Sequence, residues 1–203
     1  MPLPRTFYLR RPAVVARDLL GCVLVSRHGR TETAGRIVET EAYLGPEDGA
    51  SHAAFRPGSH ALLYGEGGHA YVFMAYGVHM CFNATTGAAG TWGCVLIRAL
   101  EPQQGAASMA RRRGAEAGAA RLASGPGNLT RALGITLRDN GVDLTAGALT
   151  IEPPDQPREF RVSTGPRIGI TKAVERPLRF WVAGNRFVSG AGQAGRRATQ
   201  TPG

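Results

Sequence analysis

The chain has 203 residues, 43% of them hydrophobic, and a formal net charge of +9. That length and apolar content suit one compact domain with a real core, and no apolar run is long enough to span a membrane. The positive charge favours a polyanionic partner, most often nucleic acid, although a biased genome composition would also give a chain in which Lys172 is the only lysine among many arginines.

The N-terminus lacks the basic-then-apolar layout of a secretion signal, so the reading is of a soluble, cytoplasmic protein. Cys22, Cys81 and Cys94 form no CxxC pair and are too few for a four-thiolate metal site. They read as buried apolar residues. His28, His52, His60, His69 and His79 are not spaced as a metal site, and no metal is expected.

In chain order, residues 12–20 read as a short helix, with Pro12 in its first turn and Gly21 past its end. A strand over 22–26 turns at His28-Gly29-Arg30 and returns through Gly35 to Tyr43. Strict alternation puts Ile37, Glu39, Glu41 and Tyr43 on one face, and Val38, Thr40, Ala42 and Leu44 on the other. Residues 44–49 break the strand and lead to His52. Strands over 71–75 and 78–82 flank Tyr76-Gly77, and another over 93–99 ends near Arg98. Residues 103–122 are helical in composition, weakened at Gly114 and Gly118, and a second helix opens at 124–128 and runs to Leu133. Strands are expected near 149–151, 159–162, 168–171 and 178–182. Residues 1–189 read as one domain and 190–203 as a flexible tail rich in Gly, Ala and Arg. The elements are mixed without βαβ alternation, so the fold class is α+β.

The chemistry centres on 39–48, where Glu39, Glu41, Glu47 and Asp48 crowd into a basic chain. A carboxylate is a poor choice where phosphate docks, unless it does chemistry there. Glu41 can act as a general base or stabilise a developing cation. The simpler reading is a strand glutamate paired with an arginine. Tyr43, His52 and Phe73 offer flat faces for a nucleobase, each worth about 1–3 kcal/mol in stacking. Each alone could equally be core. Tyr76, beside Gly77 at a hairpin tip, could be a wedge that enters a base stack or could fold back on the domain.

Longer motifs are more specific. Val38-Glu39-Thr40-Glu41-Ala42-Tyr43-Leu44-Gly45-Pro46-Glu47-Asp48 is followed by His52, then Tyr71-Val72-Phe73-Met74-Ala75-Tyr76-Gly77, then Cys81-Phe82-Asn83. Val95-Leu96-Ile97-Arg98-Ala99-Leu100-Glu101-Pro102 comes next, then Leu122-Ala123-Ser124-Gly125-Pro126, Arg167-Ile168-Gly169 and Pro177-Leu178-Arg179-Phe180. In this order, from about Leu19 to Ser189, they resemble the alkyladenine (3-methyladenine) DNA glycosylase family.

The resemblance implies a curved antiparallel sheet with flanking helices and a protruding hairpin. It implies an enzyme of base excision repair whose partner is double-stranded DNA containing damaged purines; no metal or organic cofactor is implied, and a monomer is the default expectation. By position, Glu41 resembles the catalytic carboxylate, and Arg98 and the backbone of Ile168 resemble groups that hold the nucleophilic water. Tyr43, His52 and Phe73 resemble the stacking walls. Tyr76 resembles the intercalating residue, and Asn83 the group that rejects guanine. Two positions depart from the family pattern: Phe73 stands where a tyrosine is expected, and Val78-His79 stand where bulkier residues are expected.

Arg111, Arg112, Arg113, Arg121, Arg131 and Arg138 are candidate phosphate contacts, or else a solvated helix face. Lys172 lies outside these motifs, so no amine is expected in the site and strand cleavage through a Schiff base is not anticipated. Two other readings compete. The Gly125-Pro126-Gly127 turn before a helix could mark a helix-hairpin-helix glycosylase. The charge alone could mark a non-catalytic DNA- or RNA-binding module.

Overall fold

The computed structural model describes residues 1–29, 31–56, 58, 60–154 and 159–190. Helix α1 (Arg5–Tyr8) leads into α2 (Pro12–Asp18), where Pro12 occupies the first turn and so withholds no needed donor. Gly21, at φ 87°, then redirects the chain into β1 (Val23–Ser26). Strand β2 (Thr33–Tyr43) follows, then α3 (His52–Phe55) and α4 (His60–Leu63). Strands β3 (Ala70–Ala75) and β4 (His79–Thr85) form a hairpin. Its turn, closed by Val78 N–H donating to Ala75 O at 3.2 Å, puts Tyr76 at φ 52° and Gly77 at φ 70°. Two left-handed residues match the twist of the flanking strands, but a tyrosine rarely accepts that conformation.

The next stretch departs from expectation. Strand β5 runs over Cys94–Gln104, and the helix α5 is only Ala106–Arg113, stopped by Gly114 at φ 64°. Cross-strand pairing overrides helical composition at 103–104, because β2 pairs with β5 as far as Ala34↔Gln104. Helix α6 (Pro126–Leu133) falls where expected. Strands β6 (Leu149–Glu152), β7 (Val162–Gly165) and β8 (Arg179–Val182) complete the set. The strand expected over 168–171 is a loop: Pro166 lacks a ladder donor and Gly169 takes φ 78°. The expected tail, apart from Gly190, lies outside the described residues.

All strand pairs are antiparallel, in a curled sheet ordered β3-β4-β5-β2-β1-β6, with β8 also on β2 and β7 on β8. The α+β expectation holds. Strand β2 changes partner midway, pairing with β1 as far as Arg36 and with β8 from Glu39. At that handover its ladder with β5 slips between Ile37 and Glu39 and again before Thr40, leaving Val38 and Arg98 out of register. A bulge of this kind re-aims side chains. Ile37 and Val38 both enter the core, so Ile37 does not share a face with Glu39 and Glu41 as strict alternation predicts.

One apolar cluster runs from Leu3 to Val188 and includes Tyr8, Leu24, Phe82, Ile97 and Leu129. Burying each large side chain contributes about 1.5–3 kcal/mol. A smaller cluster of Leu63, Tyr71 and Cys94, with Tyr43 and Phe73 packed on it, supports the site from behind.

Candidate active site

Glu41 is fully buried in the middle of the sheet. Its Oε1 accepts from the Ile168 N–H at 2.7 Å and pairs with Arg98 Nη1 at 3.1 Å. Its Oε2 accepts from the Tyr43 hydroxyl at 2.9 Å. A carboxylate oxygen can take two donors, so Oε2 keeps acceptor capacity. Arg98 is held in turn by Glu39, at 2.9 Å from Nε. Burial alone would weaken the hold of Arg98 on its proton; Glu41 and Glu39 reverse that and push it above the usual guanidinium range.

Tyr43, Arg98 and Ile168 separate Glu41 from a cavity of about 720 Å³. One wall is aromatic. His52 lies 4.3 Å from Phe73 between ring centroids, and Phe73 lies 5.3 Å from Tyr71. His52 enters at the first turn of α3, where Ser51 Oγ accepts the Ala53 N–H at 3.3 Å. Its Nδ1 is 2.7 Å from the Tyr71 hydroxyl. Burial, and then the charge of Arg56, push the His52 imidazole down to about 4, so it is neutral at neutral pH. Asn83, only 2% exposed, donates from Nδ2 to Tyr71 O at 3.0 Å. Its Oδ1 lies 3.8 Å from Cys94 Sγ.

The opposite wall is the loop that carries Ile168, Gly169 and Lys172. It is anchored by Arg167, whose fork grips Asp48 at 2.6 and 2.8 Å, both side chains without exposure. Burial opposes ionisation of Asp48, but the Arg167 fork holds the carboxyl below its usual range. Arg167 also donates to Ala42 O at 3.1 Å and lies over the Tyr43 ring, 4.7 Å from its centroid. Tyr76, 84% exposed, lines the cavity from the hairpin tip, and its hydroxyl donates to Gly169 O at 3.0 Å.

The expected residues therefore meet at one place: Glu41, Arg98, Ile168, Tyr43, His52, Phe73, Asn83 and Tyr76. Lys172 is a correction. Expected outside the site, it is an exposed residue on the cavity lining, because the loop after Ile168 folds back against Gly49. The arginine candidates line no part of the cavity. Arg112 donates to Ala132 O at 2.9 Å and His28 O at 3.2 Å, Arg113 to Leu122 O at 3.1 Å, and Arg131 to Arg112 O at 2.7 Å. These bonds tie α5 to its neighbours. Arg111, Arg121, Arg131 and Arg138 are exposed. Partial burial, then the charges of Arg131 and Arg121, lower the proton affinity of Arg113, a crowding that an anion would relieve.

A family model described as methylpurine-DNA glycosylase matches residues 6–186. The chain belongs to the methylpurine-DNA glycosylase family. This methylpurine-DNA glycosylase family member is thus a DNA glycosylase, a hydrolase of DNA repair with DNA as its substrate. The helix-hairpin-helix reading is set aside. It is 47% identical over 192 residues to a protein of Methanoculleus marisnigri, covering 93% of this chain and 99% of that one. It is 48% identical over 193 residues to one of Koribacter versatilis, covering 93% of each. A protein of Myxococcus xanthus is 42% identical over 200 residues, covering 96% of this chain and 97% of that one. All three bear the name "Putative 3-methyladenine DNA glycosylase".

Sequence reasoning missed Glu39, Tyr71, Arg167 and Ser189 as parts of the site. Alternation offered a signal for the first two, since each lies two residues before a chosen residue. Ser189 bonds Glu39 from 150 positions away and had no local signal.

The neutral His52 has a stability consequence. Its folded value lies below the unfolded value of 6.5, so the unfolded chain binds more protons in that interval. The His52 contribution is complete above pH 6.5 and is lost as pH falls towards about 4. Thermal unfolding should show a wild-type midpoint that falls across this window more steeply than that of His52→Asn; parallel curves would contradict the assignment.

Proposed function

We propose that this DNA glycosylase acts as a monomer, without a cofactor, on alkylated and deaminated purines in duplex DNA: 3-methyladenine, 7-methylguanine, hypoxanthine and ethenoadenine. The damaged nucleotide is flipped into the cavity, Tyr76 fills the gap it leaves, and a water activated by Glu41 displaces the base from C1′. The product is an abasic site. The observation that carries this reading is a buried carboxylate, bonded by a main-chain N–H, an arginine and a tyrosine hydroxyl, directly behind an aromatic cavity.

Loss of a purine builds positive charge on C1′ and the ring oxygen. A carboxylate behind that centre stabilises it and takes a proton from the attacking water. Admitting the water requires Arg98 and the Ile168 loop to give way slightly, and hydrogen bonds in a free enzyme commonly rearrange when substrate binds. A cationic methylpurine leaves more readily than a normal base. Between Tyr43, Phe73 and a neutral His52 it also gains roughly 0.5–2 kcal/mol of cation–π attraction. The exposed arginines on and around α5 and α6 serve as phosphate contacts in this reading.

Labelled duplexes carrying one such lesion, with alkali added only after the reaction, test the chemistry. Glu41→Gln should lower base release by about 100-fold or more while lesion binding persists; a near-normal rate would refute the role. Lys172 raises the question of strand cleavage, but it is exposed, and Schiff-base lysines are activated by desolvation. Borohydride should trap no covalent DNA adduct; a wild-type adduct that disappears in Lys172→Arg would show a second, lyase step.

Asn83 is held by Tyr71 O with its amide against the cavity, where the 2-amino group of guanine would crowd it or leave it unpaired. An unpaired buried polar group costs about 1–3 kcal/mol, on the order of 5- to 150-fold in discrimination. Asn83→Ser should release normal guanine measurably faster; unchanged selectivity between guanine and hypoxanthine would remove Asn83 from this role.

A further inference from the structure

Glu39 is fully buried two residues before Glu41 and has no part in the reaction as described above. Its Oε1 accepts from Arg98 Nε at 2.9 Å, Arg179 Nε at 2.7 Å and Ser189 Oγ at 2.8 Å. Its Oε2 accepts from the Ser189 N–H at 2.6 Å. Arg98 therefore bridges two carboxylates, with Nε on Glu39 and Nη1 on Glu41. The half-buried Arg179, opposite Glu41 in the β2–β8 register, brings the set to two carboxylates and two guanidiniums.

A buried glutamate that only supported the sheet would need no such neighbour to the reacting carboxylate. Arg98 alone beside Glu41 would pose a problem. Its charge would weaken Glu41 as a base and repel the cation that develops at C1′. A second carboxylate on the far edge of the same guanidinium offsets part of that charge, leaving one net positive charge beside Glu41 instead of the two of Arg98 and Arg179, and fixes the rotamer that points Nη1 at Glu41.

We infer that Glu39 is a positioning and charge-balancing residue for hydrolysis, acting on Glu41 through Arg98. This rests on the role proposed for Glu41. The groups around Glu41 are Tyr43 and Glu39 on β2, Arg98 on β5, Cys81 on β4, Arg179 on β8 and Arg167 in the loop before Ile168, with His52 and Lys172 on the cavity walls. Arg179 is the charge whose removal leaves the hydrogen bonds of Glu41 in place, because it is bonded to Glu39 and Ser189 and stacked on Trp181 at 4.6 Å.

The test is the pH profile of single-turnover excision of 7-methylguanine from duplex DNA, with folding checked by circular dichroism. Glu39→Gln should lower the rate on the order of 10- to 100-fold while the Kd for lesion DNA changes less than about threefold. Its acidic limb should move to lower pH, because Arg98 and Arg179 then lose one of the two carboxylates that balance them. Arg179→Gln should move the limb the other way. Glu39→Asp, which keeps the charge, should return the limb towards wild type. A merely structural Glu39 would lower the folded fraction without opposed limb shifts. If Glu39→Gln does not fold, Arg179→Gln decides: a limb that stays or moves down overturns the proposal. Unmoved limbs with an inactive Glu41→Gln overturn the role of Glu39 and leave that of Glu41 standing. An active Glu41→Gln overturns both.

Discussion

Two carboxylates and two guanidiniums share the interior of this sheet, and Arg98 is the member that touches both carboxylates. Charges removed from water are tolerated only when paired and hydrogen-bonded, and breaking such a pair from one side costs about 3–5 kcal/mol. Local folding around 36–41 and 96–99 has to deliver that pairing. The slips in the β2–β5 ladder do so. They send Ile37, Val38, Ile97 and Ala99 into the core while Glu39, Glu41 and Arg98 meet on the other side. The partner change in β2 belongs to the same arrangement, since β8 replaces β1 at Glu39 and brings Arg179. An unbroken β1–β2 hairpin would leave Glu39 short of a cation.

A second buried pair does a different job. Arg167 and Asp48 fasten the loop after β7 to the loop after β2, which fixes the Ile168 N–H on Glu41. Asp48 also accepts the Leu44 N–H at 3.1 Å and the Ala50 N–H at 3.3 Å, so one carboxylate sets both rims. Beyond these locks the charges on the cavity lining are those of Arg56 and Lys172. His52 is neutral, and burial pushes the Cys81 and Cys94 thiols up to about 11 and about 12, so both stay protonated. A protonated buried thiol is a poor nucleophile, which would suit the alkylated bases proposed as substrates. The arginines on and around α5 and α6 line no part of the cavity.

Much of this was legible in the sequence. The turn at Tyr76-Gly77, the strands on either side, and the shared face of Glu41 and Tyr43 follow from alternation and turn chemistry. The order of the longer motifs gave the family. What failed did so for physical reasons. Alternation cannot foresee a bulge, so Ile37 was placed beside Glu39 instead of in the core. Helical composition over 103–122 lost to strand pairing at 103–104 and to Gly114 at φ 64°. The apolar residues around Ile168 looked like a strand, yet they form a loop whose N–H serves a carboxylate rather than a ladder. Lys172 was excluded because it stands outside the motifs, three residues past Gly169, yet the same loop carries it onto the cavity lining.

The two departures from the family pattern can be weighed in the same terms. A hydroxyl missing at Phe73 would matter most if it held His52, but Tyr71 supplies that contact at 2.7 Å from the adjacent position on the same face. Phe73 still packs on His52 at 4.3 Å, so the wall keeps its shape and becomes more apolar. At the hairpin, a side chain on Gly127 would start 2.8 Å from His79 Nδ1, so His79 rests on the first turn of α6 only because residue 127 is glycine. The hairpin is thus braced by His79 against α6 one pair below the turn and by Tyr76 on Gly169 at its tip. Neither change reaches Glu39, Arg98 or Glu41. Both alter surfaces that a flipped base or its duplex would touch and leave the charge network intact, which separates what the site holds from how it hydrolyses.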